Sequence, residues 1–140
     1  MASATRKLIE WSDDLSVGIA SIDAQHRKLI ALTNDFHAAL VSGRGTMMAG
    51  RTLVGLLAYT VSHFAFEEKL LQDNAYPGFE EHKSEHVRLV AEVKALQVDL
   101  RAGKSALSVD VMHFLKSWLR NHIQGMDRKY SKHLQAAGVT

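Results

Sequence analysis

The chain has 140 residues, 46% of them hydrophobic, with one proline, no cysteine and a formal net charge of +2. That length suits one domain able to bury roughly two-thirds of its unfolded surface. The missing cysteine excludes disulfides, zinc ribbons, iron–sulfur clusters and thiol nucleophiles. Basic residues are scattered, as in Arg6-Lys7, Arg27-Lys28 and Arg128-Lys129. A pI near 9.0 therefore reflects no basic patch, and nucleic acid is not an expected partner. Residues 1–20 include Trp11, Asp13 and Asp14 and lack an apolar core of signal-peptide length, and no run approaches ~18 apolar residues. The expectation is a cytoplasmic protein with no membrane partner.

Residues 1–20 have no clean period and are expected to cross the surface as an extended arm. From about 21 to 41, Ile22, His26, Leu29, Ile30, Phe36 and Leu40 share one side at a 3.6-residue period. Ser42-Gly43-Arg44-Gly45 ends that segment, glycine being the usual helix stop. A second helix is predicted over about 46–73, with Leu53, Leu56, Thr60, His63, Glu67 and Leu70 spaced by threes and fours. Asn74-Ala75-Tyr76-Pro77-Gly78 breaks it, since the residue before a proline is pushed out of helical geometry. The third helix, about 79–101, aligns His82, His86, Leu89, Val93, Leu96 and Leu100. Ala102-Gly103-Lys104-Ser105 forms the last turn. The fourth, about 107–136, carries Val111, Leu115, Trp118, Leu119, His122, Met126 and Tyr130. Four amphipathic helices joined by short turns pack most simply as an all-α, up-down-up-down antiparallel bundle. The whole chain, 1–140, reads as one domain.

Seven polar side chains lie on the apolar stripes: His26, His63, Glu67, His82, His86, His122 and Asp127. His63/Glu67 and His82/His86 are four apart, so each pair sits on one helix face, offset by about 40°. A lone ionised carboxylate in an apolar core costs many kcal/mol or takes up a proton. A single buried histidine is more often a hydrogen-bonded core residue than a ligand. Five on converging faces with two inward carboxylates instead suggest two metal ions, whose charge no Lys or Arg on these faces supplies. Imidazole with carboxylate suits iron, zinc, copper or manganese, and thiolate-free, nitrogen-rich ligation fits non-haem iron. His37, His113 and His133 have no partner carboxylate at the same level and are read as solvated or locally hydrogen-bonded.

One spacing resists a regular helix. His122 and Asp127 are five apart, about 140° around an α-helix. They face one site only if the helix is locally widened, as in a π-type turn, and Gly125 between them weakens the helix there. The spacing alone equally allows Asp127 to be a surface residue beside Arg128.

Four motifs in order resemble the hemerythrin family, a likeness covering the chain from Leu8 to about Leu134. They are Ile9-Glu10-Trp11-Ser12 leading to Ile22-Asp23-Ala24-Gln25-His26; His63-Phe64-Ala65-Phe66-Glu67-Glu68; Tyr76-Pro77 followed by His82-Lys83-Ser84-Glu85-His86; and Trp118-Leu119 with His122-Ile123 and Asp127. Bacterial single-domain members are the nearest likeness. Leu71 departs from the pattern, many relatives having methionine there, which bears on packing rather than on metal binding.

The resemblance implies a hemerythrin-like domain with two iron ions joined by an oxo or hydroxo bridge. One iron would take His82, His86 and His122; the other would take His26 and His63 and keep a position open. Glu67 and Asp127 would bridge them. Dioxygen would bind at the open iron and sit as hydroperoxide, in a pocket of Leu29, Phe64, Trp118, Leu119 and Ile123. Such a dry pocket would slow loss of peroxide. The carboxylate-rich di-iron proteins use Glu-x-x-His pairs, and none occurs here. The expected function is reversible dioxygen binding for storage, transport or scavenging, by a monomer that is not an enzyme. The alternatives are an oxygen or nitric oxide sensor, or a weak di-iron peroxidase or nitric oxide reductase.

Overall fold

A computed structural model describes the backbone of residues 8–41, 46–102 and 107–140, with side chains for 8–40, 49–102 and 113–140. The turns expected at 42–45 and 103–105, and the side chain of Val111, lie outside the described residues. Helix α1 spans Ala20–Val41, α2 Thr46–Asp73, α3 Phe79–Arg101 and α4 Leu107–Asn121. A π-helical turn, His122–Asp127, then joins α4 to α5, Arg128–Ala136, along one continuous rod. The rods form an up-down-up-down antiparallel four-helix bundle: α1 packs on α2, α2 on α3, and α4 on both α1 and α3. Among the described residues there is no strand, and no helix is long and apolar enough to cross a membrane.

Each rod buries one stripe at three- and four-residue steps. Helix α1 turns in Ile22, His26, Leu29, Ile30, Thr33 and Phe36; α2 turns in Leu53, Leu56, Thr60, His63, Glu67 and Leu71. The α2 stripe ends on Leu71, wholly buried, and not on Leu70, which is only partly buried. Four residues separate Glu67 from Leu71, keeping the side chain over the same face, while Leu70 has rotated toward the flank. On α3, Leu96 is likewise only partly buried, with Val93 and Leu100 carrying the core on either side. The two hydroxyls inside the bundle stay satisfied, Thr33 donating to the Leu29 carbonyl and Thr60 to that of Leu56.

The N-terminal segment is more than a surface arm. Ile9, Leu15, Val17 and Ile19 are all buried in the core. Two polar residues of α1 fasten it. Asn34 accepts from the Leu8 and Ile9 amides at 2.9 and 3.0 Å and donates to the Ile9 carbonyl at 2.8 Å. Asp23 accepts from the Ser16 hydroxyl at 2.5 Å and the Val17 amide at 2.9 Å. Between them a 3-10 turn, Asp13–Leu15, drives Leu15 inward. Gly18 follows with φ +73°, and a Cβ there would meet the Gln135 amide nitrogen at 2.4 Å. Only glycine meets both conditions.

Candidate metal centre

Five of the seven inward polar residues stand on uninterrupted α-helix, where three- and four-residue spacings aim them at one level of the bundle. The other two, His122 and Asp127, open and close the π turn. Within it His122, Ile123 and Asp127 are all buried, and the Arg128 amide reaches back five residues to the Ile123 carbonyl. The extra residue per turn brings His122 Nε2 within 3.1 Å of Asp127 Oδ1. Gly125 sits in this turn with open space where a Cβ would go. Its contribution is therefore low helix propensity and not steric necessity.

The seven side chains separate into two groups that share both carboxylates. Glu67, His82, His86, His122 and Asp127 form one; His26, His63, Glu67 and Asp127 form the other, with donor atoms in each group all within 4.8 Å of one another. The carboxylate oxygens divide cleanly. Glu67 Oε1 lies 2.5 Å from His82 Nε2 and 3.1 Å from His86 Nε2, while its Oε2 lies 3.1 Å from His63 Nε2. Asp127 Oδ1 lies 3.1 Å from Nε2 of both His82 and His122, and Oδ2 lies 3.0 Å from His26 Nε2. Each carboxylate thus turns one oxygen toward the group of three imidazoles and the other toward the group of two.

Apart from the 2.5 Å hydrogen bond between His82 Nε2 and Glu67 Oε1, these separations have the spacing of neighbouring ligands around a metal ion. Nε2 of His26, His63, His86 and His122, and both oxygens of Asp127, are buried with no hydrogen-bond partner despite approaches near 3 Å. Ligands at ~2.1 Å from an ion and at right angles lie ~3.0 Å apart, the spacing seen. So many unpartnered buried polar atoms are costly in an apolar core, and bound cations would satisfy them. The donor set fits two ions of the iron, zinc, copper or manganese type.

The electrostatics carry the same signature. Burial works against charge on Glu67 and Asp127, and the two carboxylates repel, yet the facing histidines hold both below the ordinary carboxylate range. Burial also disfavours protonation of His26 and His82, but Asp127 and Glu67 overcome it and lift each to about 9. Without cations, protons on these rings supply the counter-charge.

Behind the inner set stand three residues that the sequence argument did not assign. Gln25 Oε1 lies 2.6 Å from His63 Nδ1, Glu68 Oε2 lies 2.9 Å from His86 Nδ1, and the Tyr130 hydroxyl donates to Glu67 Oε2 at 3.1 Å. Gln25 and Glu68 each adjoin an inward residue, His26 and Glu67. A polar residue one step around the helix from a ligand was the available signal.

Leu29, Phe64, Trp118, Leu119 and Ile123 are all buried. The Phe64 ring stacks on His86 at 3.7 Å and lies 5.6 Å from His122 and 5.9 Å from His63. It therefore lies between the two groups, nearest to the three-histidine side. Trp118 packs edge-on to Phe64 at 6.4 Å. None of His37, His113 and His133 joins either group. His113 is exposed and His133 bonds the Asn74 carbonyl at 2.6 Å, but His37 is partly buried with Nδ1 enclosed and unpartnered, and so is not the solvated or hydrogen-bonded side chain expected.

Residues 17–134 match the model of the hemerythrin HHE cation binding domain. The chain belongs to the hemerythrin family. Among its relatives is the bacteriohemerythrin of Stenotrophomonas maltophilia, 36% identical over 92% of this chain and 83% of that protein. The bacteriohemerythrin of Methylococcus capsulatus is 32% identical over 92% and 98% of the two chains. The myohemerythrin of Riftia pachyptila is 32% identical over 89% and 92%. The fold agrees with a crystal structure of wild-type hemerythrin at a TM-score of 0.83 and 31% identity, covering 91% of this chain and 98% of that one.

Proposed function

We propose that this member of the hemerythrin family binds dioxygen reversibly at a non-haem di-iron centre, for storage, delivery or scavenging, and does not turn it over. One observation carries the reading. Two shared carboxylates face three imidazoles on one side and two on the other, so one ion is given more protein donors than its neighbour. His82, His86 and His122 would hold the fuller ion, His26 and His63 the other, and Glu67 and Asp127 would serve both. Iron held by these residues would supply the change of oxidation state that dioxygen binding requires.

The protein's own part is geometry and exclusion of water. The five rings are fixed on four helices, with Gln25 and Glu68 setting two of them from behind. Leu29, Trp118, Leu119 and Ile123 keep the surroundings apolar, which favours release of the bound gas over its loss by reaction with water. Five neutral imidazoles against two carboxylates also leave the centre less anionic than a carboxylate-rich site, favouring reversible binding over oxygen activation.

The test is direct. Reduced protein with two irons per chain should change colour on exposure to dioxygen and recover under argon. Irreversible bleaching, or sustained turnover of dioxygen or peroxide, would refute the carrier reading.

A further inference from the structure

The outer partners of the two ligand groups differ in charge. On the three-histidine side, His86 Nδ1 meets the Glu68 carboxylate at 2.9 Å. On the two-histidine side, His63 Nδ1 meets the neutral Gln25 amide oxygen at 2.6 Å. Both oxygens can only accept, so both Nδ1 atoms carry the proton and both Nε2 lone pairs face inward. The consequences for the rings are unequal. A carboxylate behind a ring polarises the N–H far more than an amide does and makes the opposite nitrogen a stronger donor. The Glu68 side chain is only 23% exposed, so solvent screens that effect weakly.

Glu67 adds to the imbalance. Tyr130 donates to Oε2, the oxygen facing His63, and not to Oε1, the oxygen facing His82 and His86. That hydrogen bond draws electron density from the carboxylate oxygen offered to the two-histidine position. Three features therefore point the same way: an extra imidazole, an anionic partner behind His86, and a tyrosine hydroxyl on Oε2 but not on Oε1.

We propose that Glu68 is a positioning residue that makes the two metal positions unequal, so that the three-histidine position fills first and the two-histidine position, backed by Gln25, fills second and releases its ion first. The inference rests on the two-metal reading of the site but goes beyond it, since that reading assigns no role to Glu68 and sets no order of filling. It also separates the effect of Glu68 from that of ligand number. Exchanging the outer partners leaves the seven inner ligands untouched.

The experiment is an anaerobic titration of the full chain with Co2+ against a competing chelator, following the cobalt absorption bands and the heat of each step. The wild-type chain should take two ions in resolved steps, and His63→Ala should lose the second step while keeping the first. Glu68→Gln should weaken the first step by roughly 10–100-fold, the usual cost of losing an outer partner, with the second step preserved. Gln25→Glu should strengthen the second step. The metal-free variants should keep wild-type helicity and melting temperature, which separates donor strength from damage to the bundle. Unresolved steps of equal affinity, equal weakening of both steps in Glu68→Gln, or loss of the first step in His63→Ala would overturn the inference while leaving a two-metal site. A chain that binds no Co2+ would overturn both.

Discussion

His122 and Asp127, five residues apart, place Nε2 and Oδ1 3.1 Å from each other across a π-helical turn. On a regular α-helix the same residues would diverge by about 140°, and Asp127 would face away from the site. A π turn costs helix regularity, so its presence at this position argues that the second shared carboxylate matters. Asp127→Asn keeps the size of the side chain and removes its charge. The variant should fall from two bound irons per chain to one or fewer, by metal analysis after loading and desalting. Full occupancy would show that Asp127 is dispensable and leave the π turn without this explanation.

Stability should depend on pH differently with and without metal. In the metal-free protein, burial opposes charge on His26 and His82, but Asp127 and Glu67 raise both to about 9. A histidine raised from an unfolded value near ~6.5 adds stability that is complete below ~6.5 and lost as pH rises through ~9. Metal-free protein should therefore melt at progressively lower temperature between those limits. Glu67 and Asp127 are shifted the other way, so their contribution is present above ~4 and is lost on further acidification. Ions replace the protons on the histidines, and binding at a thousand times Kd adds about 4 kcal/mol. Loaded protein should melt higher and lose the alkaline decline. Melting curves with and without chelator, from about pH 6.5 to 9.5, check both halves.

Much of the bundle was legible because each helix advertises itself by period. Glu67 stood out as a carboxylate in line with Leu53, Leu56 and Thr60, whereas the His122–Asp127 spacing left a widened turn and a surface Asp127 equally open until the family resemblance favoured the first. What escaped has a common physical origin: it depends on distances between elements rather than along one. Ile9, Leu15, Val17 and Ile19 follow no period because an irregular segment is buried by whatever it lies against, here through bonds to Asn34 and Asp23. Glu68 looked like an ordinary flanking charge until His86, eighteen residues on, came within 2.9 Å. The side on which Phe64 stacks was equally out of reach, since a ring beside His63 in sequence rests on His86 in space.

The exit from α2 contains strain that a single substitution should relieve. Ala75 has φ +52°, in the left-handed region that costs a residue with a Cβ roughly 1–2 kcal/mol. It sits where helices commonly end on glycine, with the Tyr76 amide bonding the Leu71 carbonyl at 3.0 Å and the Ala75 amide bonding that of Gln72 at 3.1 Å. Glycine relieves the clash but loosens the unfolded chain, which returns about 0.4–1 kcal/mol. Ala75→Gly should thus gain roughly 0.5–1 kcal/mol, read as a higher urea midpoint with an unchanged slope. A lower midpoint would mean that the alanine methyl makes a packing contribution larger than the strain.

The role of the apolar surroundings can be separated from their contribution to stability by a matched pair of cavities. Leu29 is buried one turn after His26 on α1, so it stands next to the two-histidine position proposed to receive dioxygen. Leu53 is equally buried on α2, but ten residues, or ~15 Å of helix, before His63. Truncating either leucine to alanine should cost about 2–5 kcal/mol through lost burial and an unfilled cavity. Only the first change should admit water to the site. If exclusion of water there contributes ~1.4 kcal/mol to the barrier against oxidation, Leu29→Ala should lose oxygen-binding capacity about tenfold faster than wild type. Leu53→Ala should lose it at close to the wild-type rate, despite a comparable fall in melting temperature. The measurement is the decay of the reversible absorption change in air, taken well below both melting temperatures. Equal acceleration in the two variants would trace the effect to a loosened bundle, and Leu29 would then be core packing with no part in protecting the site.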